Sequence, residues 1–196
     1  MCAHLADNSQ HPSRFKRYPS WYHTLLTKLS TLLVLAFFCL ILSDWMGLRF
    51  NHSQSVEPGF YWVVEKQPAK GDFVSFCPAK GPITQIAYER GYIGFGNCSG
   101  KTERLLKIVY GVTGDTIELT PKGVVINGHL LPVSATFKQD GLGRPLAPYG
   151  QKRHVLQANE LWVMTNRSAL SFDSRYFGPI LLNQVSDVVR PLLTWQ

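Results

Sequence analysis

Apolar residues dominate from Leu25 to Gly47, interrupted by Lys28 near the start and Asp44 near the end. The charge-free part, Leu29 to Leu42, falls short of the ~20 residues that cross a bilayer, and Leu25, Leu26, Trp45, Met46 and Leu48 complete it. Lys28 can extend its ammonium to the interface, and Trp21, Tyr22 and Trp45 suit the headgroup belts. A cleaved leader is the rival reading, but it needs small residues at the cleavage site, and Trp45-Met46 are bulky. The pattern therefore predicts an uncleaved anchor over 25–47, between a polar tail over 1–24 and an exported part over 48–196. Arg14, Lys16 and Arg17 precede the span, with Pro12 and Pro19 in the same poorly ordered tail. That charge bias keeps the N-terminus in the cytoplasm.

Beyond the span the pattern changes to short β-prone runs. Phe60–Val64, Phe73–Phe76, Ile108–Tyr110, Thr116–Leu119, Val124–Ile126, Leu161–Met164 and Val185–Val189 each read as a strand. Asn127-Gly128 predicts a hairpin joining Val124–Ile126 to His129–Val133. No run after the span has clear helical periodicity, and no internal repeat is visible. The expected fold class is mainly β, a compact domain of antiparallel strands behind one transmembrane helix.

Composition narrows the function only a little. Hydrophobic residues make up 45% of the 196, ordinary for a chain with one modest domain. The net charge of +7 raises nucleic acid as a partner. No run of Lys and Arg interleaves with aromatics, so a basic tail and scattered surface charge are preferred, with no nucleic-acid partner. The segment Gly91–Lys101 resembles a phosphate loop but fails it. Five residues separate Gly94 from Gly100 and three separate Gly96 from Gly100, where the motif needs four between glycines. A flexible loop is the better reading. Six histidines form no metal-ligand spacing, and no metal or cofactor is implied. Of four cysteines, Cys2 falls in the tail and Cys39 in the span. Cys77 and Cys98 fall in the exported part, where an oxidising compartment would pair them around the glycine-rich loop; two free thiols are the alternative.

Three further stretches carry candidate chemistry. Asn51–Trp62 reads N-H-S-Q-S-V-E-P-G-F-Y-W, Arg104–Asp115 reads R-L-L-K-I-V-Y-G-V-T-G-D, and Ser171–Gly178 reads S-F-D-S-R-Y-F-G. In the first, Pro58 fixes its own φ and restrains Glu57, and Gly59 permits a turn that other residues resist. A serine beside such a corner can aim its hydroxyl and its backbone N–H at one place. The ordered set Ser-x-Ser-x-x-Pro, Lys-x-x-x-Gly-x-x-Gly-Asp, Ser-x-Asp-Ser-Arg-x-x-Gly resembles the type I signal peptidase superfamily of membrane-anchored Ser–Lys proteases. The opening N-x-S-x-S-x-x-P-G-x-Y is most similar to its conjugative-transfer, TraF-type branch, and the likeness covers about residues 51–179.

The resemblance implies a role for each matched residue. Ser55 is the nucleophile and Lys107 the base. A lysine of pKa about 10.4 must be desolvated for that work, and Leu105, Leu106, Ile108 and Val109 are the apolar neighbours in sequence. The Ser53 hydroxyl and the Ser55 N–H form the oxyanion hole. Ser171 orients the lysine. Asp173 and Arg175 are the supporting pair, with a more direct role open for the aspartate and a solvent-exposed ion pair as the bland alternative. Val56 and Gly59-Phe60 depart from the housekeeping pattern, and Asn166-Arg167 lies one residue out of register with its G-D-N-R run.

The implied protein is a signal-peptidase-like serine endopeptidase of a bacterial inner membrane. It would mature, and in some members circularise, a conjugative pilin precursor, with the dyad near the bilayer surface and contacts with conjugation machinery. The aromatic run Phe60-Tyr61-Trp62 and the apolar residues beside Lys107 would line its pocket, with ordinary core as the equal alternative. The alternatives are a housekeeping-like peptidase acting on many membrane-embedded preproteins, and a non-catalytic channel subunit that keeps the fold. Topology is open to a direct check: alkaline phosphatase fused after Gln196 is expected to be active. An inactive fusion with an active cytoplasmic reporter at the same point reverses the orientation.

Overall fold

The computed structural model describes residues 19–195. The tail residues Arg14, Lys16 and Arg17, with Pro12 and Cys2, lie outside the described residues. The chain divides at Met46/Gly47 into two compact units.

The first unit contains a single described helix, α1 (Ser20–Trp45), which begins five residues before the apolar stretch that predicted it. Trp21–Ser43 is long and apolar enough to cross a membrane. Its large apolar side chains are exposed all round, Leu32, Phe37 and Leu40 among them. A helix apolar on every face buries itself in protein or in lipid.

The second unit is mainly β. Its elements in order are β1 (Leu48–Asn51), β2 (Gly59–Val64), β3 (Phe73–Phe76), α2 (Pro82–Glu89), β4 (Leu105–Gly111), β5 (Thr116–Thr120), β6 (Gly123–Ile126), β7 (His129–Leu130), β8 (Arg153–Val155), β9 (Glu160–Met164), α3 (Ser174–Phe177), β10 (Ile180–Leu181) and β11 (Val185–Thr194). Seven strands form one antiparallel sheet in the order β1-β2-β11-β3-β4-β9-β10, and four form another in the order β7-β6-β5-β8.

Alternation along the strands builds the core. In β4, Leu105 and Val109 face a cluster with Val74, Phe76, Val163 and Phe172, while Ile108 faces the other way onto Val56, Tyr61 and Val189. In β9, Leu161 and Val163 join the first cluster, and Trp162 and Met164 turn to the small sheet, onto Ile117, Val124 and Leu156. Lys107 shares the parity of Leu105 and Val109, and it sits in the middle of the large sheet, paired in register with Val74. Its Cβ therefore starts on a buried face.

Several expectations need correction. The strand expected over His129–Val133 stops at Leu130, while the one expected over Val185–Val189 runs on to Thr194. After Val189, β11 has left β3 and pairs only with β2, so Pro191, lacking an N–H, lies where one edge is open. The helix α2 went unseen because it is eight residues long and buries only Thr84 and Ala87, too little for a periodic signal. The strands β1, β8 and β10 and the short α3 escaped for the same reason.

Gly59 serves a close approach more than a turn. It opens β2 at φ 148°, and a Cβ there would lie 2.3 Å from the Leu193 carbonyl oxygen on β11. The loop over 91–101 is not loose either. Phe95 bridges to Thr102, Cys98 N–H donates to the Thr102 carbonyl, and Gly96 N–H to that of Lys101. A Cys77–Cys98 disulfide, with Cα atoms 5.5 Å apart, ties it to the end of β3.

Closing that loop covalently restricts the unfolded chain. Replacing both Cys77 and Cys98 with serine is expected to lower the unfolding free energy by about 3 kcal/mol. Unfolding with and without reductant measures it, and unreduced peptide mapping of protein made in an oxidising compartment should recover the linked fragments.

Candidate active site

Ser55 lies in the short connection between β1 and β2, and side chains from three directions hold that connection. Asn51, 8% exposed at the end of β1, donates through Nδ2 to the carbonyls of Ser53 and Glu57, both at 3.1 Å. Its Oδ1 accepts the Ser53 N–H at 3.1 Å. Tyr61 Oη on β2 donates to the Glu57 carbonyl at 2.6 Å. The Thr165 hydroxyl, just past β9, donates to the Ser55 carbonyl and accepts the Arg167 N–H at 3.0 Å. The loop is thus braced at both ends and at the serine itself. With the Ser53 N–H committed to Asn51, its side chain lines the same cleft as Ser55.

Lys107 reaches this serine from β4. Its Nζ lies 2.5 Å from Ser55 Oγ and 3.0 Å from Ser171 Oγ, and the residue is 2% exposed. Two hydroxyls suit a neutral amine, since each can donate or accept as required. Burial is the main cause of a pKa lowered to about 8. The carboxylates of Asp173 and Glu103 pull it upward and Arg175 pushes it down. At that value roughly one lysine in ten is neutral at pH 7, against fewer than one in a thousand for an unperturbed side chain.

Ser171 is placed by Arg175. The guanidinium makes a bidentate pair with Asp173, Nε to Oδ1 and Nη2 to Oδ2, each at 2.8 Å, with both side chains at 0% exposure. Its remaining N–H groups donate to the carbonyls of Ala135, Ala169, Ser168 and Ser171. One cation therefore shapes the turn that presents the Ser171 hydroxyl. Asp173 also caps α3 through the Arg175 N–H, and the Ser174 hydroxyl accepts the Val163 N–H at 2.9 Å, docking α3 on β9. The pair is a buried hub, and the alternative of a solvent-exposed ion pair is excluded. Both Asp173 oxygens are engaged by Arg175, and the carboxylate reaches Lys107 only through its charge.

The rest of the second block of the sequence motif is also structural. Gly111 admits Trp162, whose Cβ a side chain there would meet at 3.1 Å. Asp115 accepts from Lys70, the Val112 N–H and Asn127 at 2.7–2.8 Å. Burial would raise its pKa, but those three donors outweigh burial and hold it below the usual value.

The cleft has a volume of about 240 Å³, and Ser53, Ser55 and Lys107 line it with Tyr61, Tyr92 and Phe172. Of the aromatic run expected to line it, only Tyr61 does. Phe60 packs on Phe50 and Trp195 instead, because neighbours on a strand face opposite ways. Thr165 left no sequence signal, and Asn51 stood in the opening motif with no role assigned.

A serine hydroxyl thus stands against a buried lysine amine on an antiparallel sheet. The family model described as signal peptidase, peptidase S26, matches residues 21–193, and the chain belongs to that family. It is 42% identical over 149 residues to a plasmid transfer protein TraF of Escherichia coli, covering 76% of this chain and 84% of the relative. A probable conjugal transfer protein TraF of Sinorhizobium fredii is 32% identical over 175 residues, 87% of this chain and 90% of the relative. Among solved structures, a signal peptidase I from Enterococcus faecalis is 20% identical, covering 63% of this chain and 97% of that one, at a TM-score of 0.37.

The hub makes a clear demand on stability. Asp173→Asn leaves Arg175 buried without its counter-charge and should cost about 3–5 kcal/mol, read by urea unfolding in detergent. A loss under 1 kcal/mol would mean the pair is not the support described.

Proposed function

We propose that this chain is a single-pass, membrane-anchored serine endopeptidase that uses a Ser55–Lys107 dyad to mature a conjugative pilin precursor. Its N-terminus would lie in the cytoplasm and its catalytic domain in the periplasm. The observation that carries the reading is the 2.5 Å approach of the buried Lys107 Nζ to Ser55 Oγ. The relatives' names, plasmid transfer and conjugal transfer proteins, favour a conjugation substrate over general secretion.

The chemistry follows from the geometry. Neutral Lys107 takes the Ser55 proton as Oγ attacks a peptide carbonyl near small residues. The Ser53 hydroxyl and Ser55 N–H face the developing oxyanion, a donor set in which each member is worth roughly 100- to 1,000-fold in rate. Lysinium then protonates the leaving amine, and an acyl ester remains on Ser55. Water completes hydrolysis. The pilin's own amino terminus, held in the cleft at high effective concentration, instead joins the ends.

Co-expression with the candidate pilin precursor, followed by mass measurement, tests the whole scheme. Wild type should yield a product one water lighter than the trimmed linear chain, while Ser55→Ala and Lys107→Ala leave precursor. A linear product retains the peptidase and removes the joining step; processing by Lys107→Ala removes the dyad. Because the neutral lysine is the base, kcat/KM should rise with pH through an inflection near 8 and then level.

A further inference from the structure

The cleft that Ser53 and Ser55 line also contains a carboxylate outside the hydrogen bonds of Lys107. Glu103, two residues before β4, lines the cleft with its side chain 29% exposed. It is held rigidly. Its Oε1 accepts the Gly94 N–H at 2.7 Å, and its own N–H donates to the Gly94 carbonyl at 2.8 Å. The loop presses against it so closely that a Cβ at Gly96 would lie 2.6 Å from Glu103 Cα. The Cys77–Cys98 disulfide fixes that loop in turn.

The ion-pair partner of this carboxylate among the described residues is an exposed imidazole. Arg49 pairs with Asp187 at 3.2 Å. The imidazole of His52, itself 73% exposed, stands 3.7 Å from Glu103 Oε2. Arg104 lines the cleft from the exposed side, and Lys107 is turned to Ser55 and Ser171. A fixed anion in a partly desolvated cleft selects for a cation, and an ammonium is the cation an acyl transfer can consume.

We propose that Glu103 is the binding site for the amino group that accepts the acyl chain from Ser55, so that this wall of the cleft steers the ester toward amide formation and away from water. The inference rests on the peptidase reading above. In the step, the acceptor arrives as an ammonium against Glu103 and loses one proton to neutral Lys107. The amine nitrogen attacks the ester carbon, the N–C bond forms, and the bond to Ser55 Oγ breaks. A second proton from that nitrogen goes to Ser55 Oγ, restoring the hydroxyl, and lysinium releases its proton to solvent. Glu103 leaves the step unchanged.

Glu103→Gln keeps an oxygen for the Gly94 N–H and removes only the charge. Full-length protein in detergent is given the uncleaved pilin precursor with either glycinamide, cationic at neutral pH, or hydroxylamine, neutral there. The readout is the ratio of amine adduct to hydrolysed product by mass, which does not depend on how fast the ester forms. In E103Q the glycinamide ratio should fall about tenfold, the worth of one charge-assisted hydrogen bond, with the hydroxylamine ratio unmoved. An equal fall for both acceptors reveals loop disruption and overturns the proposal, as does no fall for glycinamide. A wild type that forms no acyl ester overturns the peptidase reading itself; normal ester formation with an unchanged ratio overturns the acceptor site alone.

Discussion

A lysine amine taken out of water and offered only two hydroxyls is the condition on which the site depends. Lys107 has no carboxylate at ion-pair distance among the described residues, and burial lowers its pKa to about 8. The unfolded chain, with an ordinary lysine, holds more protons than the fold between about 8 and 10.5. Stability therefore rises with pH across that window. Below it the fold carries a cost of about 3 kcal/mol. That cost is tolerable only because Lys107 lies on a central strand whose neighbours, Leu105 and Val109, anchor it in the main core. The same burial makes the amine a base near neutral pH. Stability and reactivity thus pull in opposite directions on one side chain.

The other deeply buried cation is treated in the opposite way. Arg175 keeps its charge, pairs with Asp173 and spends its remaining donors on backbone carbonyls. Guanidinium suits this because it stays protonated and presents a rigid fork of donors. Its work is positional. It shapes the turn that presents Ser171, and Ser171 meets Lys107. Asn51, Tyr61 and Thr165 do the equivalent work for the serine. Ser55 and Lys107 thus each rest on their own scaffold of hydrogen bonds, and the two meet at a single short contact.

A third support comes from the disulfide-bound loop, which brings Glu103 to the cleft. This loop reads as an unremarkable glycine-rich segment in one dimension. Gly96 is needed because a Cβ there would lie 2.6 Å from Glu103 Cα, and one at Gly94 would lie 3.1 Å from the Glu103 carboxylate.

The strong local signals were legible in the chain. The apolar run of α1, the Asn127-Gly128 hairpin and most longer strands follow from periodicity and turn chemistry, which act over a few residues. The identities of Ser55, Lys107, Ser171, Asp173 and Arg175 came from ordered motifs and family likeness. What the chain alone left open was every property set by segments far apart in sequence. Asp173-Arg175 reads equally well as a surface pair until the loops carrying Ala135 and Ser168 close over it. Thr165 is one threonine among many until β9 brings it to the Ser55 carbonyl. Gly59 reads as a turn residue until β11 arrives beside it. Local sequence determines backbone preference and chemical type. Burial, and with it the pKa of Lys107 and the strength of each buried contact, depends on which distant residues exclude water, and only the folded chain decides that.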